Sequence, residues 1–331
     1  MTRSSRTFRS LVVGSAFTLL ATVASAQTTP SGGAQAGLYK LVVPFAAGGA
    51  ADMVGRTIAA GLRKEGLSEV LVENRPGAST QVAVTHVKNA APDGLTMLLT
   101  TSASFVLFPY AYKSLPYAPE DLRPVAQLVD IPTAFVAGTE QPYQDFKGYI
   151  DWIRANPSNA NLGLAAQGSS GHFGSIKLGQ DLGLQLTPVV YRGAAPMLVD
   201  VAAGRVSAGY DAVASMMSLY QGNKIKFLAV TGANRLPALP KVPTAKELGF
   251  PQFEHALPFY AIYVPARTPD AAVAKLQQAL LNTLKQPEVI AKLESAGFVV
   301  APLDAGRTAA RIDAERKFWE PVIKAAGVQL E

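Results

Sequence analysis

Residues 41–56, Leu-Val-Val-Pro-Phe-Ala-Ala-Gly-Gly-Ala-Ala-Asp-Met-Val-Gly-Arg, read as a short buried strand passing through a glycine turn into a helix. Such a turn makes an anion site from backbone alone. Pro44 ends the β-branched run, Gly48 and Gly49 let a backbone without Cβ approach a ligand, and the amides that open the next helix lack internal partners. No Lys-Ser/Thr follows the glycines and the spacing is not G-x-G-x-x-G, so the segment suits a small anion rather than ATP or NAD. The bare alternative is a tight strand-to-helix connection that holds nothing. A second loop of the same kind is Gln167-Gly168-Ser169-Ser170-Gly171-His172, with small residues, two hydroxyls and a helix start. Ser170 and His172 invite a hydrolase reading. Residues two apart are not a nucleophile–base pair by proximity in sequence, and the elbow pattern G-x-S-x-G fails because position 172 is His.

The elements that position these loops follow from hydrophobic patterning. Lys40–Val43 is a strand, Val54, Ile58 and Leu62 recur four apart along a helix closing at Gly66, and Val70–Val72 is a second strand. After the turn Asn74-Arg75-Pro76-Gly77, residues 81–90 suit a helix and Thr96–Leu99 a third strand. The middle of the chain repeats this: strand Ile131–Ala137, helix Phe146–Ala155, strand Asn161–Ala165, the second loop, a helix through Phe173, Ile176 and Gln180, strand Val189–Tyr191, helix Pro196–Ala203 and strand Val206–Asp211. Phe227–Thr231 and Phe259–Val264 are further strands, the latter entering a final helical region. Strands alternating with helices predict an α/β chain with parallel sheets and right-handed crossovers. Ligands of such sheets collect beyond the carboxyl ends of the strands, where the glycine turn and Thr101-Ser102-Ala103-Ser104 both fall.

Composition bounds the function. Arg3, Arg6 and Arg9 precede the apolar stretch Leu11–Val23, and Ala24-Ser25-Ala26 offers small residues for cleavage before Gln27, so residues 1–26 read as a secretory signal peptide. The stretch is shorter than the ~20 residues of a membrane span. Residues 27–37 read as a flexible leader. No acidic residue lies in 1–26, so losing its three arginines takes the formal charge from +6 to +3, without the clustered basic runs of a nucleic-acid binder. The absence of cysteine excludes disulfides, thiol catalysis and zinc–thiolate sites, and neither a metal nor a cofactor is expected.

Three segments resemble one family: Pro44-Phe45-Ala46-Ala47-Gly48-Gly49-Ala50-Ala51-Asp52; Glu73-Asn74-Arg75-Pro76-Gly77-Ala78 followed by Ala91-Pro92-Asp93-Gly94; and Tyr191-Arg192-Gly193-Ala194-Ala195-Pro196. Arg123-Pro124-Val125, Gly168 to His172, Asp211, Leu239 to Thr244 and Pro265 to Pro269 extend the likeness from about Leu38 to the C-terminus. In order and spacing the chain is similar to the Bug family, periplasmic solute receptors of tripartite tricarboxylate transporters. The resemblance implies a two-lobed type II periplasmic-binding-protein fold with the ligand in the cleft, lobe one being residues 38–130 with 254–331 and lobe two 131–253. It implies a monomer that captures a small di-, tri- or aromatic carboxylate for membrane permease subunits, or alternatively signals through a membrane sensor kinase. Carried over by position, the site comprises Phe45, Ala46, Ala47, Gly48, Gly49, Ala50, Asp52, Thr101, Ser102, Ala103, Ser104, Gln167, Gly168, Ser169, Ser170, His172, Tyr191, Arg192, Gly193 and Asp211.

Several of these have a plainer reading. Asp52 either orients ligand or complements the helix macrodipole. His172 either donates to a carboxylate or fixes its own loop, and Asp211 either meets ligand or braces a neighbouring loop. His86, His255, Trp152 and Trp319 read as ordinary helix, loop or core residues. Ala50-Ala51, Phe108 and Pro258-Phe259-Tyr260 depart from the family's usual pattern. Phe105, Phe108, Phe173 and Phe259 are therefore either aromatic surface near the cleft, favouring a longer or aromatic carboxylate, or core.

Overall fold

The computed structural model describes residues 37–331 except Ser68; the stretch read as a signal peptide and nearly all of that read as a leader lie outside the described residues. The chain begins with β1 (Tyr39–Val43), α1 (Ala50–Lys64), β2 (Val70–Asn74), α2 (Gln81–Lys88) and β3 (Thr96–Thr101). Two short helices, α3 (Ala103–Val106) and α4 (Phe108–Ala111), lead to β4 (Leu122–Asp130) and β5 (Thr133–Gly138). There follow α5 (Phe146–Ala155), β6 (Asn161–Leu164), α6 (Ser170–Leu182), β7 (Thr187–Val190), α7 (Ala194–Ala202), β8 (Ala208–Ala212), α8 (Val213–Gln221) and β9 (Ile225–Val230). The chain ends with β10 (Phe259–Pro265), α9 (Asp270–Thr283), α10 (Pro287–Ser295), β11 (Val299–Asp304) and α11 (Ala305–Ala326).

These strands make two sheets, ordered β11-β4-β10-β3-β1-β2 and β7-β6-β8-β5-β9. The chain leaves the first sheet after β4, crosses at Ile131-Pro132, builds the whole of the second, and returns through residues 231–258 into β10. Parallel pairing holds only for β2-β1-β3 and for β7-β6-β8. The strands that carry the crossings pair antiparallel, β10 with both β3 and β4, and β5 with both β8 and β9. The purely parallel expectation is corrected here: a strand arriving from the other sheet enters from the opposite end and needs no helical crossover. The structure also adds β4 and β11, which sequence patterning passed over; β11 contains Pro302 and lies at a sheet edge, where a missing amide is tolerated. Pro132 likewise delays β5 to Thr133, two residues later than its apolar run predicted.

Strand alternation splits the buried side chains between layers. Leu41 and Val43 of β1 face a core with Val54, Ile58 and Leu62 of α1 and Leu280 of α9, whereas Val42 faces the opposite one. Each of the three α1 residues is fully buried, worth about 1.5–3 kcal/mol apiece, which explains their four-residue spacing. In β5, Phe135 and Ala137 point one way while Ala134 and Val136 point at Met197 and Val201 of α7. The core containing Val42 and Phe135 is continuous across both sheets and is sealed by Phe253, Phe259 and Trp319 of α11. The long C-terminal helix thus packs on both halves.

Candidate functional site

The carboxyl ends of three strands converge on one partly open cavity of about 210 Å³. From the first sheet come Thr101, the last residue of β3, then Ser102, Ala103, Val106 and Leu107. The second sheet supplies Ala165, Ala166, Ser169 and Ser170 beyond β6, and Tyr210, Asp211 and Ala212 at the end of β8. The crossing segments contribute Ile131, Thr133, His255 and Pro258, and α11 closes the wall with Glu315 and Trp319.

The loop before α6 is built to leave amides free. Ser169 is the N-cap: its Oγ accepts from His172 N at 3.2 Å and donates to Ala166 O at 2.9 Å. Gly168 N donates to His172 Nδ1 at 3.1 Å, and burial pushes that imidazole's pKa down, so the ring is neutral at pH 7 and its Nδ1 fixes its own loop. Among the described residues the amides of Ser170 and Gly171 take no hydrogen-bond acceptor, and they open a helix of 13 residues. Gly171 has a steric reason: a Cβ there would overlap the Tyr210 ring. That ring is immobilised by hydroxyl bonds to Thr133 Oγ1 at 2.6 Å and to Ala256 O at 2.9 Å.

The Thr101–Ser104 segment divides. Thr101, Ser102 and Ala103 line the cavity, whereas Ser104 is fully buried outside it, its Oγ shared with Thr80 at 2.9 Å and Thr100 at 3.1 Å. Ser102 N donates to Phe259 O at 2.9 Å, which ties β3's exit to β10.

The glycine turn stands apart from this cavity. Gly48 occupies the left-handed region, φ +81°, and its amide donates to Asp52 Oδ2 at 2.9 Å. The other oxygen of Asp52 accepts from Asn74 Nδ2 at 2.9 Å, and the same nitrogen reaches Phe45 O at 3.0 Å. Arg56 Nε completes the set at 2.9 Å and is the main cause holding the Asp52 carboxyl down at about 2, helped by Gly48 and Asn74 against the cost of burial. Asp52 therefore occupies the amide that a ligand at Gly48 would need. Phe45, Ala46, Ala47 and Gly49 line neither this cavity nor its neighbour; Ala50 lines an adjoining cavity of about 320 Å³ that shares Ile131 and Ala212 with the first. Gln167, Gly168, His172, Tyr191, Arg192 and Gly193 also lie outside the lining. Tyr191 instead donates its hydroxyl to Asp200 Oδ2 at 2.8 Å, and Gly193 N bonds Ala165 O at 2.9 Å.

Twelve of the eighteen lining residues were not among the predicted site residues, Thr133, Tyr210, His255, Glu315 and Trp319 being the polar and aromatic ones. Glu315 and Trp319 are one helical turn apart, and that i, i+4 pairing of an acid and an indole is the only local signal they give. Phe105, Phe108, Phe173 and Phe259 are all core and none lines the cavity, so they supply no aromatic surface to it.

Behind the cavity, Arg311 Nη1 meets Asp130 Oδ1 at 2.6 Å and Gln127 Oε1 at 2.9 Å, Nε meets Glu315 Oε1 at 2.9 Å, and Nη2 meets Leu257 O at 3.0 Å. Its guanidinium lies 4.3 Å from the Phe259 ring centroid. Burial nonetheless raises Asp130 and pushes Glu315 up to about 7, outweighing the attraction of Arg311 in both cases. Asp211 accepts from Ser215 Oγ at 2.8 Å and is also raised by burial. Among the described residues no cluster of His, Asp or Glu is suited to a metal, and no helix is long and apolar enough to cross a membrane.

Residues 54–328 match the sequence model of the tripartite tricarboxylate transporter family receptor. A UPF0065 protein of Bordetella pertussis is 32% identical over 259 residues, covering 78% of this chain and 80% of that protein. The periplasmic binding protein BugD superposes with a TM-score of 0.73 at 30% identity, covering 88% of this chain and 99% of that one. The R. palustris protein Rpa4515, solved with adipate, superposes with a TM-score of 0.77 at 30% identity over 88% of this chain and 98% of that one. The two sheets are therefore the two lobes of a type II periplasmic-binding-protein fold, and the cavity lies where their strand ends meet.

Proposed function

We propose, since the chain belongs to the tripartite tricarboxylate transporter receptor family, that it captures a small organic carboxylate between its lobes and delivers it to membrane permease subunits. The family consists of solute-binding receptors, not enzymes. The observation that carries the reading is the pair of free amides at Ser170 and Gly171 that open α6, the first of which belongs to a residue lining a partly open cavity fed by both sheets. A helix N-terminus of this kind favours a carboxylate without any cationic side chain. The volume, about 210 Å³, is below the 300–1,000 Å³ of drug-sized sites and suits a small ligand. The neighbour solved with adipate supports a carboxylate as the class.

The same reading assigns residues 38–130 with 254–331 to lobe one and 131–253 to lobe two, with the N-terminal 26 residues directing export to the periplasm. Its support is that every strand of the first sheet falls in the former range and every strand of the second in the latter. The test is a thermal-shift screen of small carboxylates on mature protein, followed by mass spectrometry of the bound compound. A true ligand at a hundred times its Kd stabilises by about 2.7 kcal/mol and is recovered intact. Small-angle scattering should then show a smaller radius of gyration when the ligand is bound, because it gains contacts from both lobes only in the closed form. Chemical turnover, or the failure of every carboxylate to bind, would refute the assignment.

A further inference from the structure

The polar groups of the cavity are asymmetric. Its lining combines Ser170, the first residue of α6, with two acids, Asp211 and Glu315, the latter only 7% exposed. Glu315 Oε1 is engaged by Arg311, while among the described residues Oε2 accepts no hydrogen bond although its carboxyl lines the cavity. No lysine or arginine lines it: Arg311 is turned to Asp130, Gln127 and Leu257 behind the wall. We propose that Glu315, with Asp211, reads a hydrogen-bond donor on the far end of the ligand, so that the bound molecule is a monocarboxylate ending in an amine, amide or hydroxyl rather than a dicarboxylate.

The inference rests on the carboxylate-capture reading above and narrows its ligand. Glu315 Oε2 is thus an acceptor open to the cavity rather than sealed in the wall, and a ligand N–H or O–H can fill it. Above pH 7, where Glu315 gives up its proton, a second carboxylate would instead meet that acid beside Asp211 with no cation in the lining to offset them. Val106, Leu107 and Ile131 of the same lining offer apolar wall for a short methylene chain.

Calorimetry at pH 7.5 on the mature protein with length-matched compounds tests this: succinate against 4-aminobutyrate, 4-hydroxybutyrate and succinamate, and adipate against 6-aminohexanoate. At one length or both, the donor-ended compounds should bind at least tenfold more tightly than the dicarboxylate, the amine, amide and hydroxyl arms identifying which donor is read. Glu315→Gln should shrink the preference for the ammonium compound at least fivefold, and Asp211→Asn provides a second, independent readout if the first variant is misfolded by circular dichroism. Equal affinities, or tighter binding of succinate or adipate, overturn the inference and leave carboxylate capture standing. If no compound of the panel and no other small carboxylate binds, both readings fall together.

Discussion

Replacing Arg311 by Met isolates the charge cluster behind the cavity. Methionine keeps most of the side-chain volume, so the change removes the charge and donors without opening a large void. It leaves Asp130 and Glu315 facing each other in a wall where burial already raises both carboxyls. Removing one partner of a buried pair costs about 3–5 kcal/mol, and the 22% exposure of the Arg311 side chain places this case near the lower end, about 3 kcal/mol. At roughly 2–4 °C per kcal/mol, the melting temperature at pH 8 should fall by roughly 6–12 °C. The sign of the pH effect is the sharper test. Acidification to pH 5.5 protonates Glu315, whose folded pKa lies at about 7, so less unpaired charge remains and the deficit should shrink. Scanning calorimetry at the two pH values decides; a deficit under about 1 kcal/mol, or one that does not change with pH, would refute the reasoning.

Three further outcomes are expected. Gly171→Ala should destabilise by about 1–3 kcal/mol and abolish ligand-induced thermal shifts, because the added methyl meets a Tyr210 ring that cannot swing away; a parental melting temperature with normal binding would contradict it. Asp52→Ala should cost about 1–3 kcal/mol and speed exchange of the Gly48 amide, measured by hydrogen–deuterium exchange, since three bonds of 2.9 Å disappear; unchanged protection at Gly48 would sink the assigned role. Between about pH 4.5 and 7 the folded state holds the Glu315 proton while the unfolded chain has released it, so stability should decline by on the order of 3 kcal/mol as pH rises. Asp52, held at about 2, adds the opposite slope only below about pH 4, and Glu315→Gln in chemical denaturation should flatten the upper window alone.

The sequence by itself determined whatever depends on neighbours three or four residues apart. The spacing of Val54, Ile58 and Leu62 laid out α1, the run Gly168 to His172 announced a capped helix start, and Gly48 marked the left-handed turn before α1. Family likeness carried the two-lobed plan, which the pattern of strands and helices alone had rendered as parallel sheets. Tertiary structure decided which of the two anion loops opens on the cavity. Asp52 follows Gly48 by four residues in sequence, but that its carboxylate takes the Gly48 amide depends on Asn74 and Arg56 holding it there. Thr133, Tyr210, His255, Glu315 and Trp319 meet in one wall although more than 180 residues separate the first from the last. No local period encodes such a meeting, because contacts between elements are chosen by how whole buried faces fit together, and only the folded chain expresses that fit.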